Sequence, residues 1–260
     1  MDLKNSTILI TGGSSGIGLE LVKQLTAIGA TVIITGRNPD MLNEVRKKFP
    51  GIHAFRSDVS SPDDIEELYN DVIKQFPALN ILINNAGVMR LIDLQDASMD
   101  LEDITREIGI NLSGTIQMVH QFLPHLLTRQ NAAIINVSSG IAFMPYSSAP
   151  VYSAAKAGVR AYTQALRLQL EKTNVQVMEL IPPGVNTNLQ NDWVVQPNPG
   201  MMINADKMVN IAVKGMRKNQ AEIRPFLIRI IKAASRIAPG LLIRLGHREF
   251  QKFREQQKNK

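Results

Sequence analysis

The 260-residue chain is 44% hydrophobic and 20% charged, a composition that fits one soluble α/β domain or at most two small ones. It has no cysteine, which excludes disulfide staples and thiolate metal sites and fits a reducing, cytoplasmic setting; no metal site is expected. The net charge of +6 is uneven, because residues 207–260 hold fourteen Lys or Arg against three Glu, or +11, leaving −5 on the first 206.

In chain order, Thr7 to Ile10 reads as a strand and Gly16 to Ile28 as a helix. Before them, Met1 to Ser6 lacks the apolar core of a leader peptide. Thr31 to Thr35 is a strand, Pro39 to Phe49 a helix, and Ile52 to Arg56 a short strand. The next helix, Pro62 to Phe76, opens with Ser61 as its cap and Asp63 and Asp64 in the first turn, where the dipole favours acids. Asn80 to Asn84 is a strand, 98–128 is mostly helical, and Ala133 to Val137 is a strand. Residues 150–172 carry Val159, Tyr162, Ala165, Leu166 and Leu170 at helical spacing, and Val175 to Ile181 is the sixth strand. No run of about eighteen apolar residues exists, so no membrane-spanning helix is predicted.

Strands this apolar are buried on both faces, as in a parallel sheet covered by helices. The alternation therefore predicts an α/β, doubly wound, Rossmann-type fold, with a mostly parallel central sheet of about seven strands and helices on both faces. Residues 1–190 form the expected dinucleotide-binding and catalytic core. Residues 187–260 add a substrate-lid loop and a basic helical extension of the same domain.

Between the first strand and first helix stands Thr11-Gly12-Gly13-Ser14-Ser15-Gly16-Ile17-Gly18. Glycines allow a tight turn, and the helix N-terminus offers unpaired N–H groups and a positive dipole end to a pyrophosphate. At the end of the second strand, a carboxylate would repel a ribose 2′-phosphate, but this chain has Gly36 and Arg37. A guanidinium can fork onto that phosphate, so NADP(H) is favoured, with NAD(H) as the second choice.

Tyr152 and Lys156 lie four residues apart in Tyr-Ser-Ala-Ala-Lys, on one face of the predicted helix. An unperturbed phenol titrates near ~10 and is a poor base at neutral pH. A cation at ~4 Å is worth about 4 kcal/mol at an effective dielectric of ~20, or about three orders of magnitude in acidity. The plain alternative is a surface tyrosine with a solvated lysine.

Together these motifs resemble the short-chain dehydrogenase/reductase family over residues 5 to about 190. Thr11 to Gly18 is similar to its glycine turn, Asp58-Val59 to its adenine-contacting pair, and Asn84-Asn85-Ala86-Gly87 to the segment after its fourth strand. Asn111, Ser139 and Tyr152-x-x-x-Lys156 resemble its catalytic set, with Ser139 preferred to Ser138 because it lies thirteen residues before Tyr152. One segment departs: in Pro182-Pro183-Gly184-Val185-Asn186-Thr187, Pro183 stands where the family has glycine, which stiffens the backbone beside the nicotinamide. This pair, Thr35-Gly36-Arg37 and the basic tail resemble the DltE-type oxidoreductases, a branch that brings no established substrate.

The resemblance implies an oxidoreductase interconverting a carbonyl and an alcohol. Tyr152 would exchange the proton, Lys156 would lower its pKa and bind the nicotinamide ribose, Ser139 would stabilise charge on the substrate oxygen, and Asn111 would hold a water. Gly12, Ser14, Ser15, Gly16, Ile17, Gly18, Arg37, Asp58, Val59, Asn85, Ala86, Gly87, Tyr152, Lys156, Val185 and Thr187 would bind the cofactor. Trp193, Val194, Val195, Met201 and Met202, facing Ile141, Phe143, Met144 and Tyr146, would admit a hydrophobic substrate or pack on one another. The tail, with Phe226 to Ile237 and Leu241 to Leu245 as apolar runs punctuated by cations, suits an anionic membrane surface. It suits equally packing on the sheet or on a second subunit. Nucleic acid is not an expected partner, since no recognition motif accompanies the basic stretch. A homodimer or homotetramer through helices near 105–128 and 152–172 is expected. The rival reading is a non-catalytic dinucleotide-binding sensor or scaffold whose tail holds a partner.

Overall fold

Short runs rich in Ile, Leu, Val and Ala form β1 (Thr7–Thr11), β2 (Thr31–Gly36), β3 (His53–Arg56), β4 (Leu79–Asn84), β5 (Ala132–Val137) and β6 (Val175–Leu180). The computed structural model describes residues 1–96, 99–187 and 202–258. Two further pairs, β7 (Val185–Asn186) and β8 (Ile203–Asn204), form a small parallel ladder of their own, and β9 (Glu222–Ile223) joins the main sheet. That sheet has seven strands, all parallel, in the order β3-β2-β1-β4-β5-β6-β9. The order reverses between β1 and β4, so a crevice opens where their carboxyl ends diverge.

The helices are α1 (Gly16–Ile28), α2 (Pro39–Lys48), α3 (Pro62–Gln75), α4 (Leu101–Ile108), α5 (Gly114–Leu127), α6 (Pro150–Gln169), α7 (Ala205–Arg217), α8 (Phe226–Ile237) and α9 (Pro239–Lys258). Their starts follow from local chemistry. Asn38 accepts from the Asp40 and Met41 amides at 2.9 and 3.2 Å ahead of Pro39, and Ser61 accepts from the Asp64 amide at 3.2 Å ahead of Pro62. Each such cap contributes about 1 kcal/mol.

Alternate strand residues build two cores. Ile8, Ile10, Ile34, Ile83 and Ile135 pack with Leu21, Leu25, Leu42, Met208 and Ala212 of α1, α2 and α7. Leu9, Ile33, Leu82 and Ile134 pack on the other face with Ile65, Leu68, Phe122 and Leu166 of α3, α5 and α6. Helix α7 lies in the first core and β9 extends the main sheet, so residues after 202 contribute to both.

The stretch expected as mostly helical over 98–128 has more structure than that. It begins at Leu101 and is interrupted by a π-helical turn over Gly109–Ser113 before α5. The tail packs on the body. Ile228 is buried against Gly140, Gly246 lies on Pro145 and Tyr146, and Ser147 bonds His247 at 2.9 Å.

Candidate active site

The glycine turn closes the carboxyl end of β1. Gly12 and Gly16 have φ of +66° and +52°, a region that favours glycine. A Cβ on Gly18 would stand 2.1 Å from the Gly12 carbonyl, so helix and turn approach as only glycine permits. The α1 cap residue, Ser15, makes no side-chain cap bond and the first turn holds no acid, which leaves the dipole end available to an anion. From here a cleft of about 680 Å³ opens, lined by Arg37, Asp58, Val59, Ala86, Gly87 and Ile110. Arg37 stands at its rim, 3.8 Å from Asp58. Thr35 also lines it, as do Asn38, Met41, Ser57 and Val88, which carried no sequence signal of their own.

The segment after β4 is held by polar bonds. Thr11 Oγ1 accepts from the Asn85 and Ala86 amides, each at 3.0 Å, and Asn85 Nδ2 donates to the Thr11 and Gly12 carbonyls at 3.0 and 3.1 Å. Asn85 thus braces the turn and is not among the cleft-lining side chains. Asn111 accepts from the Val88 amide at 2.9 Å and donates to its carbonyl at 2.8 Å. Its amide is committed to positioning this segment. Glu107, one turn earlier and fully buried, accepts from the Arg90 amide at 2.9 Å.

Tyr152, Lys156, Ser139 and Gly87 meet at the carboxyl ends of β4 and β5. The Ser139 hydroxyl, which accepts from the Ile141 amide at 3.3 Å, lies close enough to the Tyr152 phenol to lower its pKa. Lys156 Nζ donates to the Val137 carbonyl at 2.9 Å and lies 5.6 Å from the Tyr152 ring centroid. A Cβ on Gly87 would come within 2.9 Å of Asn111 Oδ1 and 3.5 Å of Lys156 Nζ, so this cleft-lining glycine packs directly against both side chains. Ser138 instead turns away and donates to Glu179 at 2.6 Å, which leaves Ser139 as the serine at the phenol.

The family model for short chain dehydrogenases matches residues 6–198. The uncharacterised oxidoreductase DltE of Bacillus subtilis is 38% identical over 237 residues, which cover 91% of this chain and 94% of that protein. The chain belongs to the short-chain dehydrogenase family. It is an NAD(P)-dependent oxidoreductase of the DltE-type branch, and the sensor reading is not favoured. Its fold is also that of a Burkholderia cenocepacia short chain dehydrogenase in complex with NADP, at a TM-score of 0.80 and 24% identity, covering 93% of this chain and 97% of the other. A Burkholderia phymatum relative in complex with NAD gives a TM-score of 0.79 at 20% identity, covering 89% and 93%.

Tyr152 is buried, and its phenol is pushed up to about 12. Burial is the main cause, the Ser139 hydroxyl opposes it, and the charge on Glu107 adds to it. Desolvation also drives Lys156 down to about 8 and raises Glu107. Burial thus outweighs the attraction inferred from spacing alone.

Around Tyr152, Ile141 and Ala149 form a small apolar cluster with Met89 and Tyr146. Met89 was missed in the sequence. Phe143 lies under the Arg160 guanidinium at 4.3 Å from its ring centroid. Val185 is buried, and Thr187 packs over Gly16, where a Cβ would meet it at 3.3 Å. Pro183 costs no bond of the sheet, since Ile181 is the last residue to donate to β9, at 2.9 Å. Of the expected lid, Met202 is half-buried, and Trp193, Val194, Val195 and Met201 lie outside the described residues.

Proposed function

We propose that this chain interconverts a carbonyl and an alcohol with NADP(H) in preference to NAD(H), acting on a hydrophobic substrate with Tyr152 as general acid and base. The observation that carries the reading is the meeting of the Ser139 hydroxyl, the Tyr152 phenol and the Lys156 ammonium beside Gly87 and the cleft.

The residues present fit a dinucleotide. The cap-free start of α1, with Gly12, Ser14, Ser15, Gly16, Ile17 and Gly18, would hold the pyrophosphate, and Asp58 and Val59 the adenosine. Arg37 would pair with the 2′-phosphate, while Ala86, Gly87, Tyr152, Lys156, Val185 and Thr187 would hold the nicotinamide end. When bound, the nicotinamide gives or takes the hydride. In reduction the Tyr152 O–H donates its proton to the substrate oxygen, and Ser139 donates a hydrogen bond to the same oxygen as negative charge develops. A phenol pushed up to about 12 is fully protonated at neutral pH, as its role as the acid in reduction requires. Met89, Ile141 and Tyr146 around the phenol support an apolar substrate. Exposed Ile116 and Leu127 on α5 and Leu168 on α6 support subunit pairing through those helices.

The test is Tyr152→Phe. Turnover in a carbonyl panel followed at the NADPH absorbance band should vanish, while NADPH still binds by fluorescence titration. A variant that keeps most of its activity on a confirmed substrate refutes the assignment.

A further inference from the structure

Positions 226, 229, 230, 233, 236 and 237 recur at three- and four-residue intervals along α8, and all six are exposed. They read Phe, Arg, Ile, Ala, Arg, Ile, with Phe226 at 75% and Ile237 at 84% exposure. At the start of α9, Leu241, Arg244 and Leu245 continue the pattern and are also exposed. Between Glu222 and Glu249 the sequence has six Lys or Arg and no acid.

The inward sides of these helices are already partnered. Ile228 is buried on Gly140, Lys232 bonds Glu222 at 2.6 Å, and Gly246 packs on Pro145. The outer stripe is therefore not a core face left over from packing on this chain's body. A surface helix keeps its large apolar residues inward, and this one displays a second set outward between arginines.

Charge selects the occupant. A symmetric contact sets one patch against itself, so a second copy would bring the cations of α8 face to face. A layer of lipid phosphates satisfies both kinds of group, with apolar side chains entering the headgroup boundary and guanidinium groups pairing with phosphate.

We propose that the outward face of α8 and the first turn of α9 form a docking surface for an anionic phospholipid membrane. The proposal does not depend on the catalytic reading. Because the opposite side of α8 rests on Gly140, next to Ser139, docking would hold the catalytic loop about one helix diameter, ~10 Å, from the lipid.

The test is co-sedimentation of the full chain with vesicles of phosphatidylcholine alone or mixed with phosphatidylglycerol. The protein should pellet with the mixed vesicles, stay in solution with the neutral ones, and be released as salt rises. Arg229→Ala/Arg236→Ala should bind about 30-fold more weakly, since each basic side chain contributes roughly five-fold at an anionic surface. Phe226→Ser/Ile237→Ser should lose binding with both arginines in place. Urea unfolding of both variants should match the parent, and the comparison of the two vesicle types decides even if it does not. Absence of binding to anionic vesicles, or equal binding to neutral ones, overturns the proposal, as do folded variants without effect. A dimer in sedimentation velocity that both variants dissolve overturns it too, since the occupant is then a second copy.

Discussion

Lys156 is 4% exposed and donates to the Val137 carbonyl at 2.9 Å. Burial lowers its pKa from 10.5 to about 8. Between those values the unfolded chain binds a proton that the native state lacks, so stability rises with pH across this window. Below it the native state bears the whole cost of a buried cation, which the same gap puts at about 3 kcal/mol at pH 7. By pH 10 the cost falls below about 1 kcal/mol. Lys156→Met keeps the apolar stem and removes the charge, at the loss of a hydrogen bond worth about 1 kcal/mol. The variant should therefore be about 2 kcal/mol more stable than the parent at pH 7, although inactive. Because the neutral amine still donates to Val137, the bond drops out of the pH comparison. The advantage of the variant should shrink by roughly 2 to 3 kcal/mol between pH 7 and 10. Urea unfolding at several pH values measures it. A difference that does not change with pH, or a less stable variant at pH 7, refutes the reasoning.

Two other substitutions test separate parts of the site. Arg37→Ala should weaken NADPH binding about ten- to hundred-fold and leave NADH nearly unchanged in fluorescence titrations, since a charge-assisted phosphate contact is worth about 1.5–3 kcal/mol; equal losses would remove the 2′-phosphate assignment. Glu179→Ala leaves Arg160, 2.7 Å from the lost carboxylate, short of its buried partner, and should cost about 3–5 kcal/mol in urea unfolding. A loss under about 1 kcal/mol would mean that Glu222 alone holds the guanidinium.

Strands β1 to β6 were legible because each is an apolar run long enough to show its character. Strand β9 was not, since Glu222–Ile223 is too short for any period and pairs only where Glu179 and Ile181 have amides to satisfy. The π-helical turn was equally hidden, because its local sequence is helical and Asn111 takes its partner at Val88, twenty-three residues away. In the site, the four-residue spacing put Tyr152 and Lys156 on one face. What spacing could not supply was burial, a tertiary quantity that pushes the phenol up. Arg160 and Glu179 were not singled out, although one is the next residue on that face and the other an acid inside an apolar strand.

Those two residues tie the tail to the chemistry. Along α6, Tyr152, Lys156 and Arg160 stand one turn apart and meet Ser139, the Val137 carbonyl and Glu179 in turn. Glu179 also holds Ser138, the neighbour of the serine at the phenol. From Arg160 the chain of charge passes to Glu222 on β9 at 3.2 Å and on to Lys232 on α8 at 2.6 Å, with Arg224 pairing there as well. Exposed ion pairs add little, but Arg160 and Lys232 are only 12% and 18% exposed, so these contacts are poorly screened. A helix seated by Ile228 on Gly140 and by Lys232 on Glu222 cannot swing without breaking both a packed contact and this network. Whatever holds its outer face must therefore also fix the orientation of the cleft behind it.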